Sequence, residues 1–260
     1  MEPSEPFAAT SAEFDHAIAA ADLSATSSTP FLLTPETAEG FVCRSDLIGT
    51  AAQRRAVGTG RALDLLLATA MIIFVLPLMA LCVLAVLLSG PGPLLFRQTR
   101  IGRDGREFTC LKFRTMVNDA DKVIAEILQR SATAQAQWMA VQKLTCDPRI
   151  TPIGGFMRRY CLDELPQLFN VLKGDMSIVG PRPIVAAEIS RYGLNFGDYC
   201  SVRPGLTGLW QVSGSHSLSY AERVQLDTQY AQSKSLRLDV LILWRTVPIV
   251  LRGQNECNKR

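Results

Sequence analysis

Two adjacent carboxylates, Asp163 and Glu164, lie in a segment that is rich in arginine. Two arginines come just before the pair, and Arg182 follows within the rigid sequence Gly-Pro-Arg-Pro. A carboxylate can act as a nucleophile or as a ligand for a hard metal ion, and guanidinium groups bind phosphate oxygens. We therefore predict that residues 157–184 bind a phosphate group and carry out chemistry on it.

The spacing within this segment predicts different roles for the two acids. We expect a helix to begin near Phe156 and to carry both of them, which would place Arg159 one turn before Asp163, within reach of a salt bridge. Neighbouring residues on a helix project about 100° apart. One carboxylate would therefore face a phosphorus atom, while the other faces a metal ion or lies behind the first. For an isolated acidic pair, the alternative is a solvated helix start.

A predicted β-hairpin supplies further cations. The dipeptide Asp104-Gly105 separates two strand-like runs, which is typical of a hairpin turn. In the second run, Lys112 and Arg114 are two residues apart, so they would project from the same face of the strand. Two cations on one face could hold a diphosphate, and a solvated strand edge is the alternative.

An uncharged apolar run from Leu65 to Leu88 is long enough to cross a bilayer as a helix. Pro77 lies near its centre, where it removes one helical hydrogen bond and bends the axis. Arginines flank both ends of the run, and the positive-inside tendency places both ends on the cytoplasmic side. We therefore predict a re-entrant helix, broken at Pro77, that returns to the leaflet it entered. The alternative is an ordinary single span with a kink.

Charge and composition divide the rest of the chain. Residues 1–50 carry eight acids and one base, and we predict a disordered acidic tail over residues 1–55. The re-entrant membrane helix then occupies residues 56–93, a cytoplasmic domain residues 94–252 and a C-terminal tail residues 253–260. Bases exceed acids beyond the tail, which favours an anionic partner such as nucleic acid, an anionic bilayer face or a phosphorylated substrate.

The cysteines and histidines exclude several kinds of site. The chain has seven cysteines and no Cys-x-x-Cys pair, which argues against a disulfide framework and a zinc site and favours a reducing, cytoplasm-facing compartment. Its two histidines are His16 and His216. A Ser-His-Asp triad or a histidine-ligated metal would have to use His216, so neither is expected.

The C-terminal part of the chain presents charged and aromatic residues in separate segments. Residues 203–208 form a predicted rigid turn that presents Arg203, and Trp210 just beyond it could stack on a nucleobase or serve a structural or membrane-interface role. A predicted helix over residues 220–232 carries Asp227. Residues 236–251 are amphipathic, and we expect them either to lie along the membrane surface or to pack into the core.

Five motifs follow one another along the chain. They are Lys-Phe-Arg-Thr-Met (112–116), Asp-Pro-Arg-Ile-Thr (147–151), Leu-Asp-Glu-Leu-Pro-Gln-Leu-Phe-Asn-Val (162–171), Gly-Asp-Met-Ser-Ile-Val-Gly-Pro-Arg-Pro (174–183) and Arg-Pro-Gly-Leu-Thr-Gly (203–208). Together they resemble the bacterial sugar transferases, the monotopic polyprenyl-phosphate phosphoglycosyl transferases. The resemblance covers residues 56–252 and is greatest to the short members that initiate exopolysaccharide synthesis.

The resemblance implies an α+β fold in a mainly α-helical monotopic membrane protein, with a re-entrant membrane helix, a small β-hairpin and surface amphipathic helices. It implies a location at the cytoplasmic face of the bacterial inner membrane, with membrane lipid as a partner and no nucleic acid, and it allows a homodimer. Members commonly have Ser-Pro at the bend of the membrane helix, where this chain has Leu76-Pro77.

The resemblance also implies a covalent mechanism. Asp163 would attack the β-phosphate of a UDP-hexose, release UMP and then pass the hexose phosphate to undecaprenyl phosphate. Glu164 would hold Mg²⁺, the expected cofactor. The candidate substrate-binding residues are Lys112, Arg114, Arg158, Arg182, Arg203 and Asp227.

Two other functions are alternatives to this one. A glycoside hydrolase with paired carboxylates needs carboxyl groups that face each other across a sugar, whereas adjacent helix positions diverge. A membrane-tethered basic scaffold would bind anionic lipid without catalysis. The scaffold accounts for the charge of the chain but gives no reason for acids to lie among the arginines.

Overall fold

The computed structural model describes residues 51–141, 144, 147–214 and 218–253, and their side chains except those of residues 51–59, 140 and 141. Most of the predicted acidic tail, the C-terminal residues 254–260 and His216 lie outside the described residues. The helices are α1 (Ala51–Leu88), α2 (Ala120–Arg130), α3 (Ala132–Val141), α4 (Pro152–Arg159), α5 (Gln167–Lys173), α6 (Ile189–Tyr192), α7 (Phe196–Ser201), α8 (Leu209–Val212), α9 (Tyr220–Ser233) and α10 (Leu236–Arg252). The strands are β1 (Leu95–Ile101), β2 (Glu107–Phe113), β3 (Ser177–Val179) and β4 (Gly205–Thr207). Short 3₁₀ turns lie at Arg103–Gly105, Leu162–Glu164, Ala186–Glu188 and Gly193–Asn195.

Helices and two small sheets make up the described chain, which confirms the predicted α+β class. Strands β1 and β2 form an antiparallel hairpin in which Leu95 pairs with Phe113. The turn between them holds Asp104 at φ 59° and Gly105 at φ 71°, the left-handed conformation that an Asp-Gly turn favours. The hairpin therefore lies where the sequence predicted it.

A second sheet pairs β3 with β4 in parallel and was not predicted. Ser177 pairs with Gly205, so two segments distant in sequence lie side by side. A Cβ atom on Gly180 would lie 2.3 Å from the carbonyl oxygen of Arg203, and one on Gly205 would lie 2.1 Å from the amide nitrogen of Gly180. Only glycine permits such an approach, which packs the Gly-Pro-Arg-Pro motif directly against the Arg-Pro-Gly-Leu-Thr-Gly motif.

Helix α1 contains Gly60–Leu88, the one described segment that is long and apolar enough to cross a membrane, with a mean hydropathy of 3.1 over its most apolar 18 residues. The helix begins at Ala51 rather than at residue 56. Its helical residues continue through Pro77, so the chain does not leave the helical conformation where we predicted a break. Apolar side chains near its centre face outward, and Phe74 is 85% exposed. The re-entrant path of this helix stays a prediction.

Arginine side chains attach both ends of α1 to one domain. Near the N-terminal end, Arg61 donates a hydrogen bond to the carbonyl oxygen of Val171 in the last turn of α5, at 2.7 Å. At the C-terminal end, the guanidinium of Arg114 donates to the carbonyl oxygens of Val86 and Gly90, at 3.0 and 2.6 Å. Both arginines therefore donate to carbonyl groups at or just beyond the C-terminal end of a helix, where the helix dipole favours a positive charge.

The hydrophobic core joins α1 to the hairpin and to α4. Cys82 and Val86 of α1 are buried in one cluster with Phe113 of β2 and Met157 of α4. A second cluster lies under α9 and consists of Ile101, Ile184, Tyr192, Phe196, Tyr199, Cys200 and Val224. The hairpin contributes to both clusters, so it links the membrane helix to the C-terminal part of the domain.

The composition of residues 118–144 favours a single helix, whereas the described residues of this segment form two, α2 and α3. The chain extends at Ser131, where φ is −135°. The hydroxyl oxygen of Ser131 accepts a hydrogen bond from the amide of Ala134 at 3.2 Å, which caps the start of α3. A serine that satisfies a helix N-terminus therefore divides a segment that otherwise favours one helix.

Helix α10 is amphipathic, which confirms the predicted surface helix. Ser235 caps its start by accepting a hydrogen bond from the amide of Leu238. Ile242 is fully buried on the inner face. The outer face carries a stripe of exposed apolar side chains at helical spacing, namely Leu236, Val240, Trp244, Val247 and Leu251.

Candidate active site

The two carboxylates lie in a tight turn between α4 and α5. Helix α4 ends at Arg159, Cys161 adopts a left-handed conformation with φ 56°, and Leu162–Glu164 form a 3₁₀ turn. The prediction of a helix that runs through Asp163 is therefore wrong. Arg159 and Asp163 do not lie one turn apart on a shared helix. The left-handed conformation of Cys161 turns the chain, and the next acidic residue, Asp163, is buried in the domain.

Asp163 is a buried carboxylate, with 7% of the residue exposed. Burial and the neighbouring charge of Glu164 raise its pKa, the positive charges of Lys112 and Arg158 lower it, and the balance places it at about 6. The carboxylate is therefore ionised at neutral pH although most of it is shielded from solvent, a combination that favours a nucleophile.

Glu164 is in a different electrostatic environment from its neighbour. One of its carboxylate oxygens accepts a hydrogen bond from the ammonium of Lys112, and both side chains are about 20% exposed. Burial alone would raise the pKa of Glu164, but Lys112 and Arg182 outweigh it and hold the pKa below its ordinary value. Glu164 therefore remains anionic across the physiological pH range.

Three of the predicted cations surround the two acids. Arg158, in the last turn of α4, donates a hydrogen bond from Nε to the hydroxyl of Thr115 at 2.8 Å, which fixes its guanidinium. Its charge lowers the pKa of Asp163, and that of Arg182 lowers the pKa of Glu164. A cleft of about 280 Å³ lies beside Glu164 and is lined by Arg100, Cys110, Lys112, Gln167, Arg182, Pro183, Gly205, Leu206 and Gln211.

Arg114 does not line this cleft. The structure therefore does not bring Lys112 and Arg114 together, and the predicted diphosphate clamp is wrong. Strand β2 ends at Phe113, one residue before Arg114. The guanidinium of Arg114 donates to the carbonyl oxygens of Val86, Gly90 and Pro91 instead. The strand alternation that put Lys112 and Arg114 on one face no longer applies past the strand end.

Arg203 likewise lies outside the cleft beside Glu164. Its Nε donates a hydrogen bond to the carbonyl oxygen of Gly174 at 2.9 Å. Its side chain lines a second cleft, at the start of the apolar helix, together with Arg61 and Asp64. The parallel pairing of β3 and β4 explains this placement, because it directs Arg182 to one cleft and Arg203 to the other.

Asp227 is not brought to the cleft as a substrate ligand. It is 1% exposed and accepts a hydrogen bond from the hydroxyl of Tyr192 at 2.7 Å. Burial outweighs the hydrogen bond from Tyr192 and the charge of Arg223, so that the pKa of Asp227 is raised to about 6. The Nε of Arg223 lies 3.6 Å away, and the guanidinium carbon of Arg223 lies 4.9 Å from the ring centroid of Trp210. Asp227 therefore holds Arg223 against Trp210.

The family profile described as bacterial sugar transferase matches residues 55–253. The chain is 44% identical over 190 residues to the exopolysaccharide production protein ExoY of Rhizobium meliloti, covering 73% of this chain and 84% of the relative. It is 45% identical over 192 residues to the undecaprenyl-phosphate galactose phosphotransferase of Salmonella typhimurium, covering 74% of this chain and 40% of the relative. This chain is a bacterial sugar transferase. It is also 40% identical over 196 residues to the UDP-glucose:undecaprenyl-phosphate glucose-1-phosphate transferase of Escherichia coli, covering 72% of this chain and 39% of that relative. The chain thus spans less than half the length of the Salmonella and Escherichia relatives.

Several residues that line the cleft of this sugar transferase were missed from the sequence. Arg100 lies in β1, donates to the carbonyl oxygen of Pro183 at 2.8 Å and approaches Glu188 at 3.9 Å. The hairpin register could have found it, because Arg100 lies on the same face of the sheet as Lys112 once the Asp-Gly turn is fixed. Gln211 gave no such signal, since it is brought to the cleft by α8, a short helix distant in sequence from the two acids.

Magnesium is the metal that membership of this sugar transferase family implies, and Glu164 is its predicted ligand. Among the described residues, no group of three or more histidine, cysteine, aspartate or glutamate side chains could hold a metal ion. The bond from Lys112 occupies only one carboxylate oxygen of Glu164, and Asp163 is its neighbour. Mg²⁺ at phosphoryl-transfer sites is commonly held by one or two carboxylates and the substrate phosphates. The residues present therefore fit a magnesium ion whose shell the substrate completes.

Proposed function

We propose that this sugar transferase transfers a hexose-1-phosphate from a UDP-hexose to undecaprenyl phosphate, as the first step of exopolysaccharide synthesis. The relatives named for galactose and glucose phosphotransfer support the reaction class, and the relative ExoY supports the pathway. The observation that carries the proposal is Asp163, a buried carboxylate whose pKa of about 6 is set among Lys112, Arg158 and Glu164.

The first half-reaction forms a phosphosugar ester on Asp163. The ionised carboxylate attacks the β-phosphorus of the UDP-hexose, and the bond from that phosphorus to the oxygen bridging the two phosphates breaks. UMP leaves with the electron pair of this bond. Burial of Asp163 supports this step because a carboxylate with little hydration is a stronger nucleophile, and its pKa of about 6 leaves it ionised at neutral pH.

The second half-reaction releases Asp163. An oxygen of undecaprenyl phosphate attacks the phosphorus of the ester, the bond to the carboxylate oxygen breaks, and undecaprenyl-diphospho-hexose leaves the site. Lys112, Arg158 and Arg182 support both halves because their charges offset the negative charge of the phosphates. Glu164 would hold Mg²⁺, which supplies further neutralisation of the diphosphate when bound.

We propose that α1 is re-entrant and that the enzyme sits on the cytoplasmic face of the inner membrane. Two contacts support this topology: Arg61 near one end of the helix bonds to α5, and Arg114 beside β2 bonds to the other end. Both ends thus contact the domain that carries Asp163. The exposed apolar stripe of α10 supports contact of the same domain with the lipid surface.

Covalent labelling tests the reaction directly. Membranes that contain the enzyme are incubated with UDP-galactose or UDP-glucose carrying ³²P in the β-phosphate, without acceptor lipid. We expect the protein to take up label with release of UMP, and the variant Asp163→Asn to take up none. The matched control is Asp239→Asn, which removes another partly buried carboxylate, one that bonds to Tyr230, and should retain labelling.

Each alternative gives a different result in the same assay. A membrane scaffold would take up no label, and a glycoside hydrolase would release free hexose without UMP. Turnover that continued at the wild-type rate in Asp163→Asn would overturn the proposal. A comparison of the two UDP-sugars then identifies the hexose.

A further inference from the structure

A second cleft, of about 350 Å³, lies at the start of the apolar helix and shares no lining residue with the cleft beside Glu164. We call it the basic cleft because four cationic side chains from four parts of the chain line it. They are Arg61 of α1, Arg103 of the hairpin turn, Arg203 before β4, and Lys234 between α9 and α10.

Several of these cations have donors that no described residue uses. The ammonium of Lys234 makes no hydrogen bond or ion pair with a described residue, and the Tyr230 ring centroid lies 5.8 Å away. The buried Nε of Arg103 has no hydrogen-bond partner and lies 3.7 Å from the nearest oxygen of Asp104. Of the Arg203 donors, only Nε is used, for the carbonyl oxygen of Gly174.

The one acid among the described residues that line the basic cleft, Asp64, is hydrogen-bonded to other groups of the protein. One oxygen of Asp64 accepts hydrogen bonds from the hydroxyl of Ser177 at 2.8 Å and from the amide of Ile178 at 3.0 Å. The other oxygen accepts from the same hydroxyl at 2.9 Å. Asp64 therefore secures α1 to β3, and its capacity to bond to the surrounding cations is reduced.

The charges in the basic cleft repel one another. Burial lowers the pKa of Lys234, and the nearby Arg203 and Arg103 lower it further, against the attraction of Asp239 and Asp64. Burial also lowers the pKa of Arg203, with Arg103 acting in the same direction. Partly buried cations that repel each other and keep free donors are the expected surroundings of a bound anion.

We propose that the basic cleft binds the phosphate group of an anionic membrane lipid. Asp64 directly precedes Leu65, the first residue of the uncharged run, and Arg61 lies one helical turn earlier. Leu66 is 67% exposed. A phosphate in the cleft would therefore lie at the depth of the lipid headgroups, which favours a lipid over dissolved phosphate as its source. The inference concerns a site distinct from Asp163 and does not rest on the proposed reaction.

Binding of a soluble anionic lipid tests this site. The full chain in a neutral detergent is titrated with dihexanoyl phosphatidylglycerol, and separately with inorganic phosphate, while the thermal unfolding midpoint is recorded. We expect phosphatidylglycerol to raise the midpoint, and its half-saturating concentration to rise roughly tenfold in Lys234→Gln/Arg103→Gln because two phosphate-binding charges are lost. The matched control Lys122→Gln removes an amine that is 80% exposed on α2 and should leave the titration unchanged.

The outcomes separate the possible occupants. Equal half-saturation in the double variant and the wild type would overturn the site. Inorganic phosphate that produces the whole shift at the same concentration would overturn the lipid source. A wild type whose unfolding midpoint does not respond to phosphatidylglycerol would overturn the proposal. If the double variant does not fold, Lys234→Gln alone gives the same comparison, since its ammonium has no hydrogen bond to lose.

Discussion

The ammonium of Lys112 is hydrogen-bonded to the carboxylate of Glu164 and not to that of the neighbouring Asp163. This arrangement separates two adjacent acids electrostatically. The pKa of Glu164 lies below its ordinary value, whereas that of Asp163 is raised to about 6. One acid is therefore a permanent anion, and the other gains its charge close to neutral pH. The pair can divide the roles of metal ligand and nucleophile without competing for the same proton.

The rate of covalent labelling should follow the ionisation of Asp163. Because only the carboxylate form is nucleophilic, we expect the single-turnover rate to rise tenfold per pH unit below pH 6 and to level off above it. Rapid-quench labelling across pH 4.5–8 measures this profile. Asp227 also has a raised pKa, of about 6, so Asp227→Asn is the control and should keep the inflection. If the inflection disappears in Asp227→Asn, the ionisation that controls the rate belongs to Asp227 and not to Asp163.

The variant Asp163→Asn should be more stable than the wild type at neutral pH. The pKa of Asp163 is raised from 3.8 to about 6, so the folded state disfavours its charged form. The cost is fully present above pH 6 and vanishes below pH 4, where both states are protonated. We expect a stabilisation of about 3 kcal/mol at pH 7.5 that fades as the pH falls through this range. Thermal unfolding in detergent measures it, and a lower midpoint for the variant at pH 7.5 would contradict the burial argument.

Removal of the Lys112 charge should impair labelling strongly. In Lys112→Met, Glu164 loses its hydrogen-bond partner and the phosphates lose a cation, so we expect the labelling rate to fall about 100-fold. Lys112→Arg keeps the charge and should recover much of the rate. The control Lys173→Met removes an amine that is 70% exposed and paired with Asp175. A wild-type rate in Lys112→Met would exclude the lysine from the reaction.

Asp227 should act through Arg223 and not through contact with the substrate. Asn at this position can still accept the hydrogen bond from Tyr192 but no longer carries the charge that holds Arg223 near Trp210. We expect Asp227→Asn to lower kcat/KM roughly threefold to tenfold, as for the loss of a positioning contact worth about 1 kcal/mol. Steady-state kinetics with varied UDP-sugar measure the change. A loss as complete as that of Asp163→Asn would instead indicate direct participation.

The membrane path of α1 can be tested by accessibility of single cysteines. We expect cysteines introduced at positions 55 and 97 to react with an impermeant maleimide in inside-out vesicles and not in intact spheroplasts. The native cysteines are first replaced, and Phe74→Cys serves as a control that should be protected in both preparations. Labelling of positions 55 and 97 from opposite sides would exclude the re-entrant path.

Local signals in the sequence were sufficient for some elements. The Asp-Gly turn predicted the hairpin, and the uncharged run predicted the one long apolar helix among the described residues. The amphipathic pattern of residues 236–251 predicted α10. In each case the residues that determine the element are neighbours in the chain, so composition and spacing carry the information.

Non-local packing explains the errors. The β3–β4 pair depends on the close approach of Gly180 to Gly205, which no local pattern reveals. That pairing sends Arg182 and Arg203 to different clefts. The left-handed Cys161 ended the predicted helix one turn early, because its conformation is set by the surrounding domain and not by cysteine propensity. The sequence was therefore a better guide to which residues are candidates for the site than to where each of them lies in the fold.

The attachment of α1 at Arg61 and Arg114 has a mechanical consequence. On the proposed re-entrant path, the two fastened ends of α1 would hold Asp163, the proposed nucleophile, at one height relative to the acyl chains, whatever the thickness of the surrounding bilayer. The lipids around α1 would then adapt to it by thinning or tilting. We expect the long polyprenyl acceptor to supply the mobility of the encounter, by carrying its phosphate up to a stationary protein.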